Sequence, residues 1–402
     1  MNLPGVPTYS RALGAKLDTV IRQTAGGPPA DLADIAREEL GVDLATQYGG
    51  MRIPHPFGKA SGQLSCTVAQ VDDDVRAGLA FVVLKTVIAE DATGGRSMEA
   101  WTVRDTKMRV EERVASSGRT GWTVTWTGRG WHGTLGEYLA FFEAALAAAI
   151  ESDVPVIPSV KFHLPAGGEP FRVAEYEHTT AQLLGVWTRV GCGGAMVLEK
   201  DFSPTLAGDA RAADLEGVLR WLENVPGLVD AAVPDGVRLG IKVMNAVADD
   251  DSQLAMLHTL SHRAPPRPAF LVVFNRLFDR RRGVAFGGWD LSDRNLRVLR
   301  AARERGMALP PLSATGNICS GRVMLEYALL GCENGQVHTF FQLPHGAYTA
   351  SAGTRSARAL HTLLLHPAEG LVPWLWHLHE AGHLEPSGGV LRFRDVIGRI
   401  DE

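Results

Sequence analysis

From Pro56 onward the chain repeats one local pattern. A short apolar, often β-branched run is followed by a stretch with apolar residues at three- and four-residue spacing. Runs of this kind, bounded by Gly, Pro or polar residues, read as buried parallel strands, and the stretches between them as helices that cover the sheet. The predicted strands are Phe57–Ser61, Ala80–Thr86, Val154–Phe162, Ala195–Lys200, Arg238–Val243, Ala269–Asn275, Leu312–Thr315 and Gln336–Thr339. The predicted helices are Leu135–Ile150, Arg172–Val190, Asp214–Leu222, Asp250–Arg263, Ser292–Arg305 and Ser320–Leu330, with Ser292 a candidate cap for its helix. Strands and helices in alternation favour an α/β fold of the (β/α)8 TIM-barrel kind over an open doubly wound sheet. No GxGxxG follows a first strand, which argues against a dinucleotide fold.

Three additions flank or interrupt this pattern. Residues 1–48 read as an N-terminal helical arm with patterns at Arg11–Thr24 and Ala30–Leu40, serving as a cap or as a dimerisation arm. A homodimer is therefore among the expected assemblies. The barrel is expected over 49–349, with an antiparallel hairpin inserted near 96–129, where MRVEERV and GWTVTWTG alternate. Residues 350–402 read as a C-terminal extension, helical around His361 and around Trp374–Ala381.

Composition narrows the function classes. In 402 residues the hydrophobic fraction is 45%, enough for a large core, and the net charge of −5 gives no hint of a nucleic-acid partner. No run approaches the ~20 apolar residues of a membrane span, and the N-terminus lacks the apolar region of a signal peptide. A cytoplasmic protein with reduced thiols is the expectation. Cys66, Cys192, Cys319 and Cys332 form no CxxC pair, so neither a zinc ribbon nor an iron–sulfur run is indicated, and no metal site is expected.

Polar residues stand at the C-terminal end of nearly every predicted strand: Ser61, Lys85-Thr86, the run Lys200-Asp201-Phe202-Ser203, Lys242, Asn275, Gly316 and Thr339. In a barrel those ends converge on one site. Lys85 and Lys242 each close a strongly apolar run, where a lysine either snorkels or serves a ligand. The strand–helix–strand stretch from Leu312 to Phe341 adds glycine at the first turn, where backbone amides and a helix N-terminus can cradle a phosphate. An ordinary βαβ turn fits the same residues.

The stretches HPFGKASG (55–62), FVVLKT (81–86), EKDFSP (199–204), GIK (240–242), FN (274–275), LSDRNLRVLRAA (291–302) and TGNICSG…GQVHT stand in the order found in a known family. Together they resemble the dihydroorotate dehydrogenase family, FMN-dependent (β/α)8 enzymes that include the flavin module of dihydropyrimidine dehydrogenase. The resemblance implies FMN as cofactor. Ala60, Ser61 and Gly62 would lie under the flavin ring, Lys85 near flavin and substrate, and Lys242 at the pyrimidine edge. Asn275 joins the cofactor-binding set. Gly316, Asn317, His338 and Thr339 would hold the phosphate. Ser203, before Pro204, takes the position of the family's general base, with Lys85 and Lys200 as further catalytic candidates. Strand alternation lets only one of Lys200 and Asp201 face the site, and Lys200 is the one expected there.

The departures bear on substrate. The family's strand-four motif carries two asparagines that this chain lacks, reading Lys200-Asp201-Phe202-Ser203-Pro204-Thr205 instead. Lys59 replaces an apolar residue, and Arg276 a small hydroxyl residue. Those asparagines bind the pyrimidine in the family. The expected reaction is therefore hydride transfer between flavin N5 and a CH–CH or C=C unit of a small polar substrate other than dihydroorotate, with the electron acceptor left unnamed.

Two other readings compete. A flavin-free phosphate-binding lyase or isomerase would use Lys85 or Lys242 as base or Schiff-base nucleophile. His379-Glu380-Ala381-Gly382-His383 matches the H-E-x-x-H zinc hydrolase signature, although Gly382 and Pro386 suit a helix end better. Trp122, Trp126 and Trp131 are candidates for hairpin core or pocket wall, and Arg280-Arg281-Arg282 for a solvated loop.

Overall fold

A computed structural model describes residues 3–99, 102, 107–114, 120–127, 130–165, 168–202, 215–245, 249–279, 284–288 and 291–399. Its centre is a curled, all-parallel sheet of ten strands, flanked by helices in a mixed α/β arrangement compatible with a TIM-like fold. In sheet order the strands are Val87–Ile88, Ser159–Lys161, Met196–Asp201, Val237–Lys242, Phe270–Val273, Leu312–Thr315, Cys332–Val337, Phe57–Lys59, Val82–Val83 and Val156–Ile157.

The two end strands are close in sequence to other members of the sheet. Only residues 84–86 separate Val82–Val83 from Val87–Ile88, and only Pro158 separates Val156–Ile157 from Ser159–Lys161. On either side of these breaks Leu84 N donates to Ile157 O at 2.8 Å and Ala89 N to Lys161 O at 3.0 Å, while between them Lys85 N turns to Ser65 O at 2.8 Å.

Period-two alternation divides the strands between two cores. Tyr48, Ile53, Phe81, Val83, Ile157, Val197, Phe270 and Val272 form one buried cluster. The hairpin Thr46–Tyr48 and Met51–Ile53 feeds Tyr48 into it, where the ring stacks on Phe81 at 4.1 Å. The residues between these, such as Leu84, Leu198 and Leu271, join the larger cluster packed against the helices. Gly58 and Gly240 keep room for the inner layer, because a Cβ on either would overlap the ring of Phe81 or Phe270.

Several helices match their predicted ranges closely, including Leu135–Ala149, Val173–Val190, Leu291–Glu304 and Gly321–Leu329. Leu135–Ala149 starts at a complete capping box of Thr134 and Glu137, which fixes its first turn. The helix predicted to end at Leu222 runs through Pro226 to Ala232. Helix Val68–Arg76, capped by Thr67, was not predicted.

The N-terminal arm does not stand apart from the chain. Its helices Arg11–Thr24 and Leu32–Leu40 pack on the C-terminal helices Arg355–Leu365 and Leu371–Glu380. Trp376 Nε1 donates to Leu40 O at 3.2 Å, Thr24 Oγ1 pairs with His361 Nε2 at 2.9 Å, and Val42–Asp43 pairs in parallel with Leu391–Arg392. Beneath them Lys59 bridges to Asp74 at 2.9 Å and to Ser356 Oγ at 3.2 Å, tying a central strand to helix Val68–Arg76 and to the C-terminal extension.

The inserted hairpin is Lys107–Val114 with Thr120–Thr127. A second pair, Leu277–Asp279 with Val284–Gly288, extends it to a four-stranded antiparallel sheet. The Arg280–Arg282 run lies outside the described residues. Among the described residues no helix is long and apolar enough to cross a membrane.

Candidate functional site

The C-terminal ends of the parallel strands open onto a cavity of about 310 Å³. Nearly every strand contributes to its wall. All ten residues predicted to hold a cofactor, Ala60, Ser61, Gly62, Lys85, Lys242, Asn275, Gly316, Asn317, His338 and Thr339, line this one space. Trp122, Trp126, Gly287 and Gly288 close it from the antiparallel sheet. Trp131 instead stacks on Phe141 at 5.3 Å, in the helix layer.

The turn after Leu312–Thr315 shows why its sequence is Gly-Asn. Gly316 has φ of 99° and Asn317 of 56°, the left-handed region that Gly and Asn tolerate best. A Cβ on Gly316 would stand 2.5 Å from Nδ2 of Asn295, which donates to Thr315 O at 2.9 Å. Asn317 is held by donating from Nδ2 to Ser292 Oγ at 2.9 Å, so Ser292 anchors this turn. It lies within Leu291–Glu304 rather than preceding it as a cap. Ser320 caps helix Gly321–Leu329, which directs that helix N-terminus toward the same end of the sheet.

Below the cavity lies a buried polar layer. Lys242 Nζ donates to Glu199 Oε1 at 3.2 Å and to Gln336 Oε1 at 2.9 Å. Gln336 Nε2 donates to Glu199 Oε2, and Tyr48 Oη donates to the same oxygen at 3.4 Å. On the wall above, Asn275 Nδ2 donates to Asp201 Oδ1 at 3.2 Å, and Ser61, Thr86 and Ser159 form a chain of hydroxyls.

The wall is strongly cationic. Lys85, Lys161, Lys242 and Arg276 line it, and Asp201 is the acidic side chain among the lining residues. Burial, reinforced by Arg276, lowers the Lys85 ammonium to about 8, against the opposing pull of Cys66 and Asp201. Burial alone would raise the Asp201 carboxyl, but Lys161, Lys242, Arg276 and Lys200 hold it below the usual range. Burial and the cations Lys59, Lys85, Lys242 and Arg276 push His338 down to about 3, so its ring is neutral at ordinary pH. Gln342 Nε2 donates to its Nδ1 at 2.8 Å, which leaves the ring proton on Nε2. That Nε2, Nε1 of Trp126 and Nε2 of Gln63 are buried donors of lining residues with no partner in the protein.

Three predicted catalytic residues fare differently. Lys85 lies on the wall. Ser203 lies outside the described residues. Lys200 is buried on the opposite face of its strand, with Leu198 and Phe202, its Nζ 4.2 Å above the Phe202 ring and donating to Asp201 O at 3.0 Å. Alternation therefore gives the cavity Asp201, not Lys200. Lys161 was missed, although it ends the apolar run VIPSVK much as Lys85 ends FVVLK.

The H-E-x-x-H segment ends a helix away from this cavity. Gly382 adopts φ of 76° just past helix Leu371–Glu380, His379 Nδ1 bonds Leu384 O at 2.9 Å, and Glu380 accepts from Ser10 N. Among the described residues no three His, Cys, Asp or Glu side chains are grouped to hold a metal ion.

No family model matches the sequence, and no curated protein matches it significantly.

Proposed function

We propose that this protein is an FMN-dependent oxidoreductase of the dihydroorotate dehydrogenase type, built on a (β/α)8 barrel. The observation that carries the reading is the meeting around one cavity of the ten residues that the sequence assigned to the cofactor. The barrel reading is supported by the backbone bonds that flank residues 85–86 and Pro158, where the two end strands of the sheet come together. The cofactor reading is supported by chemistry. The left-handed Gly316-Asn317 turn and the unpartnered Nε2 donor of His338 suit a phosphate, and the Thr339 hydroxyl would serve it by turning from Gly287 O, to which it donates at 3.2 Å. Lys242, which lines the cavity, supplies a donor for a pyrimidine edge, and Gly62 lets the chain pass close to His338, where a Cβ would overlap the ring.

When bound, FMN supplies hydride transfer at N5. The chain's own residues do the rest. Asp201 and Asn275, hydrogen-bonded to each other, present an acceptor and an amide to a polar substrate. The surplus of cations favours an anionic one, held by Arg276 and Lys161. Lys85 Nζ, with its lowered affinity for a proton, takes the proton from the carbon adjacent to the hydride donor, or relays one from Ser203. Trp122 and Trp126 exclude water from one side.

The test is direct. Purified protein, or protein reconstituted with FMN, should show flavin absorbance and release FMN on denaturation. Failure to bind FMN after reconstitution would end this reading. The lowered Lys85 ammonium also favours a second one, a flavin-free lyase or isomerase acting through a Schiff base. Borohydride trapping of substrate on Lys85 in colourless protein would select it.

A further inference from the structure

We infer that Glu199 is the positioning residue for the cofactor, acting through Lys242; the inference rests on the FMN reading above. Glu199 sits mid-way along strand Met196–Asp201, below the cavity rather than on its wall, and is fully buried. A carboxylate with no access to water is costly unless paired and hydrogen-bonded. Here Oε1 accepts from Lys242 Nζ, and Oε2 accepts from Gln336 Nε2 and Tyr48 Oη. Gln336 turns its own Oε1 to the same ammonium at 2.9 Å. The ammonium is thus gripped by Glu199 from the adjacent strand and by Gln336 from strand Cys332–Val337, which two intervening strands separate from it in the curled sheet. With two of its three hydrogens committed downward, the third is left for the cavity that Lys242 lines.

This layer is poor material for stability alone, since an apolar core of the same volume does as well or better. The neighbouring inner positions are indeed apolar, from Val197 and Val272 to Phe270 and Phe81. Ser313 and Asn334 form a separate neutral pair in this layer, whereas Lys242 and Glu199 are joined as an ion pair. That arrangement accounts for how a single lysine is presented as a fixed cationic donor at the cavity floor. A bound group with acceptor atoms at one edge then meets a donor already oriented.

A double-mutant cycle on FMN affinity tests this. Glu199→Gln, Lys242→Met and the double variant are reconstituted, and FMN dissociation constants are read by flavin fluorescence alongside thermal unfolding of the apoproteins. Each single change should weaken FMN about 10- to 100-fold, the range for a hydrogen bond to a charged group. In the Lys242→Met background, Glu199→Gln should have no further effect. Glu199→Asp, which keeps the charge, should recover part of the affinity and serves if Glu199→Gln fails to fold. Multiplying effects, or an unchanged affinity in both Glu199 variants, would overturn the inference while the parent still binds FMN. A parent protein that binds no FMN overturns the functional reading and this inference together.

Discussion

A Cβ built on Gly62 would stand 2.2 Å from Nε2 of His338. The two residues follow the first and last strands of the central sheet in chain order, and both line the cavity. His338 cannot swing away freely, because Gln342 Nε2 holds its Nδ1 at 2.8 Å. Gly62→Ala should therefore push the imidazole into the space proposed for the cofactor. Overpacking of this kind typically costs about 1–3 kcal/mol, so FMN affinity should drop by about 10- to 100-fold. Gln342→Ala in the same chain, by freeing the ring, should restore part of it. An unchanged dissociation constant in Gly62→Ala would place the cofactor elsewhere.

Much of this site was legible because strand ends announce themselves. Most of the lysine, serine and asparagine residues that close an apolar run reach the cavity because the fold brings those ends together, Lys200 being the exception. What stayed hidden was polarity inside the sheet. Cys332-Glu333-Asn334-Gly335 lies ahead of the predicted strand Gln336–Thr339, yet it forms the first part of strand Cys332–Val337, with Asn334 satisfied by Ser313 Oγ and Gln47 O. Glu199 looked like part of a strand-end motif, and its role depends on Lys242 and Gln336 from two other strands. Helix Val68–Arg76 was masked by Asp72-Asp73-Asp74, though Thr67 as cap and Val68, Val71 and Val75 at helical spacing were present. The choice between Lys200 and Asp201 turned on strand phase, which a one-residue difference reverses.

Arg276 should govern charge selectivity. It lines the cavity with its guanidinium 4.8 Å from the Trp126 ring, a contact that fixes a planar cation against an aromatic face. A charge-assisted hydrogen bond contributes about 1.5–3 kcal/mol. Arg276→Gln should weaken carboxylate-bearing ligands by about 10- to 100-fold and leave neutral analogues within a few-fold. Calorimetric titration of the FMN-loaded protein with matched acid and amide ligands measures the difference. Equal losses for both would remove Arg276 from substrate recognition.

Dihydroorotate should reduce the flavin poorly. The strand that would offer paired asparagines offers Asp201 to the cavity and turns Lys200 away from it. Each buried partner left unmatched costs about 1–3 kcal/mol. Stopped-flow mixing of FMN-loaded protein with dihydroorotate should show slow reduction, and rapid bleaching of flavin absorbance would contradict this.

Lys59 should matter for stability. Its ammonium is buried between Asp74, Ser356 and the face of Phe341. Burial raises the Asp74 carboxyl, and Lys59 and Ser356 counter that. Removing one partner of a buried pair costs about 3–5 kcal/mol, whereas replacing both with apolar residues can be close to neutral. Lys59→Met should lower the denaturant midpoint strongly, and Lys59→Met with Asp74→Leu should recover much of the loss. Equal midpoints for the two variants would show that the ion pair is not what holds the C-terminal extension to the sheet.

Lys85 gives the sharpest pH signature. Its ammonium is lowered to about 8, first by burial and then by Arg276. Below that pH the amine is protonated and cannot accept a proton; above it the free amine predominates. If Lys85 Nζ takes the substrate proton, the rate of flavin reduction in single-turnover experiments should rise with pH and level off above about 8. Lys85→Met should abolish that limb and slow reduction by about 10²–10⁴-fold, the usual contribution of a positioned base. Ser203→Ala should leave the limb in place if Lys85 takes the proton from carbon directly. Folding stability follows the same group. The unfolded chain holds a lysine proton more tightly than the folded one, so between about 8 and the usual lysine value the unfolded state binds more protons. Stability attributable to Lys85 should therefore climb as pH rises through that window, and Lys85→Met should flatten the climb. A flat rate profile from pH 6 to 10 in the parent protein would take Lys85 out of the proton-transfer step.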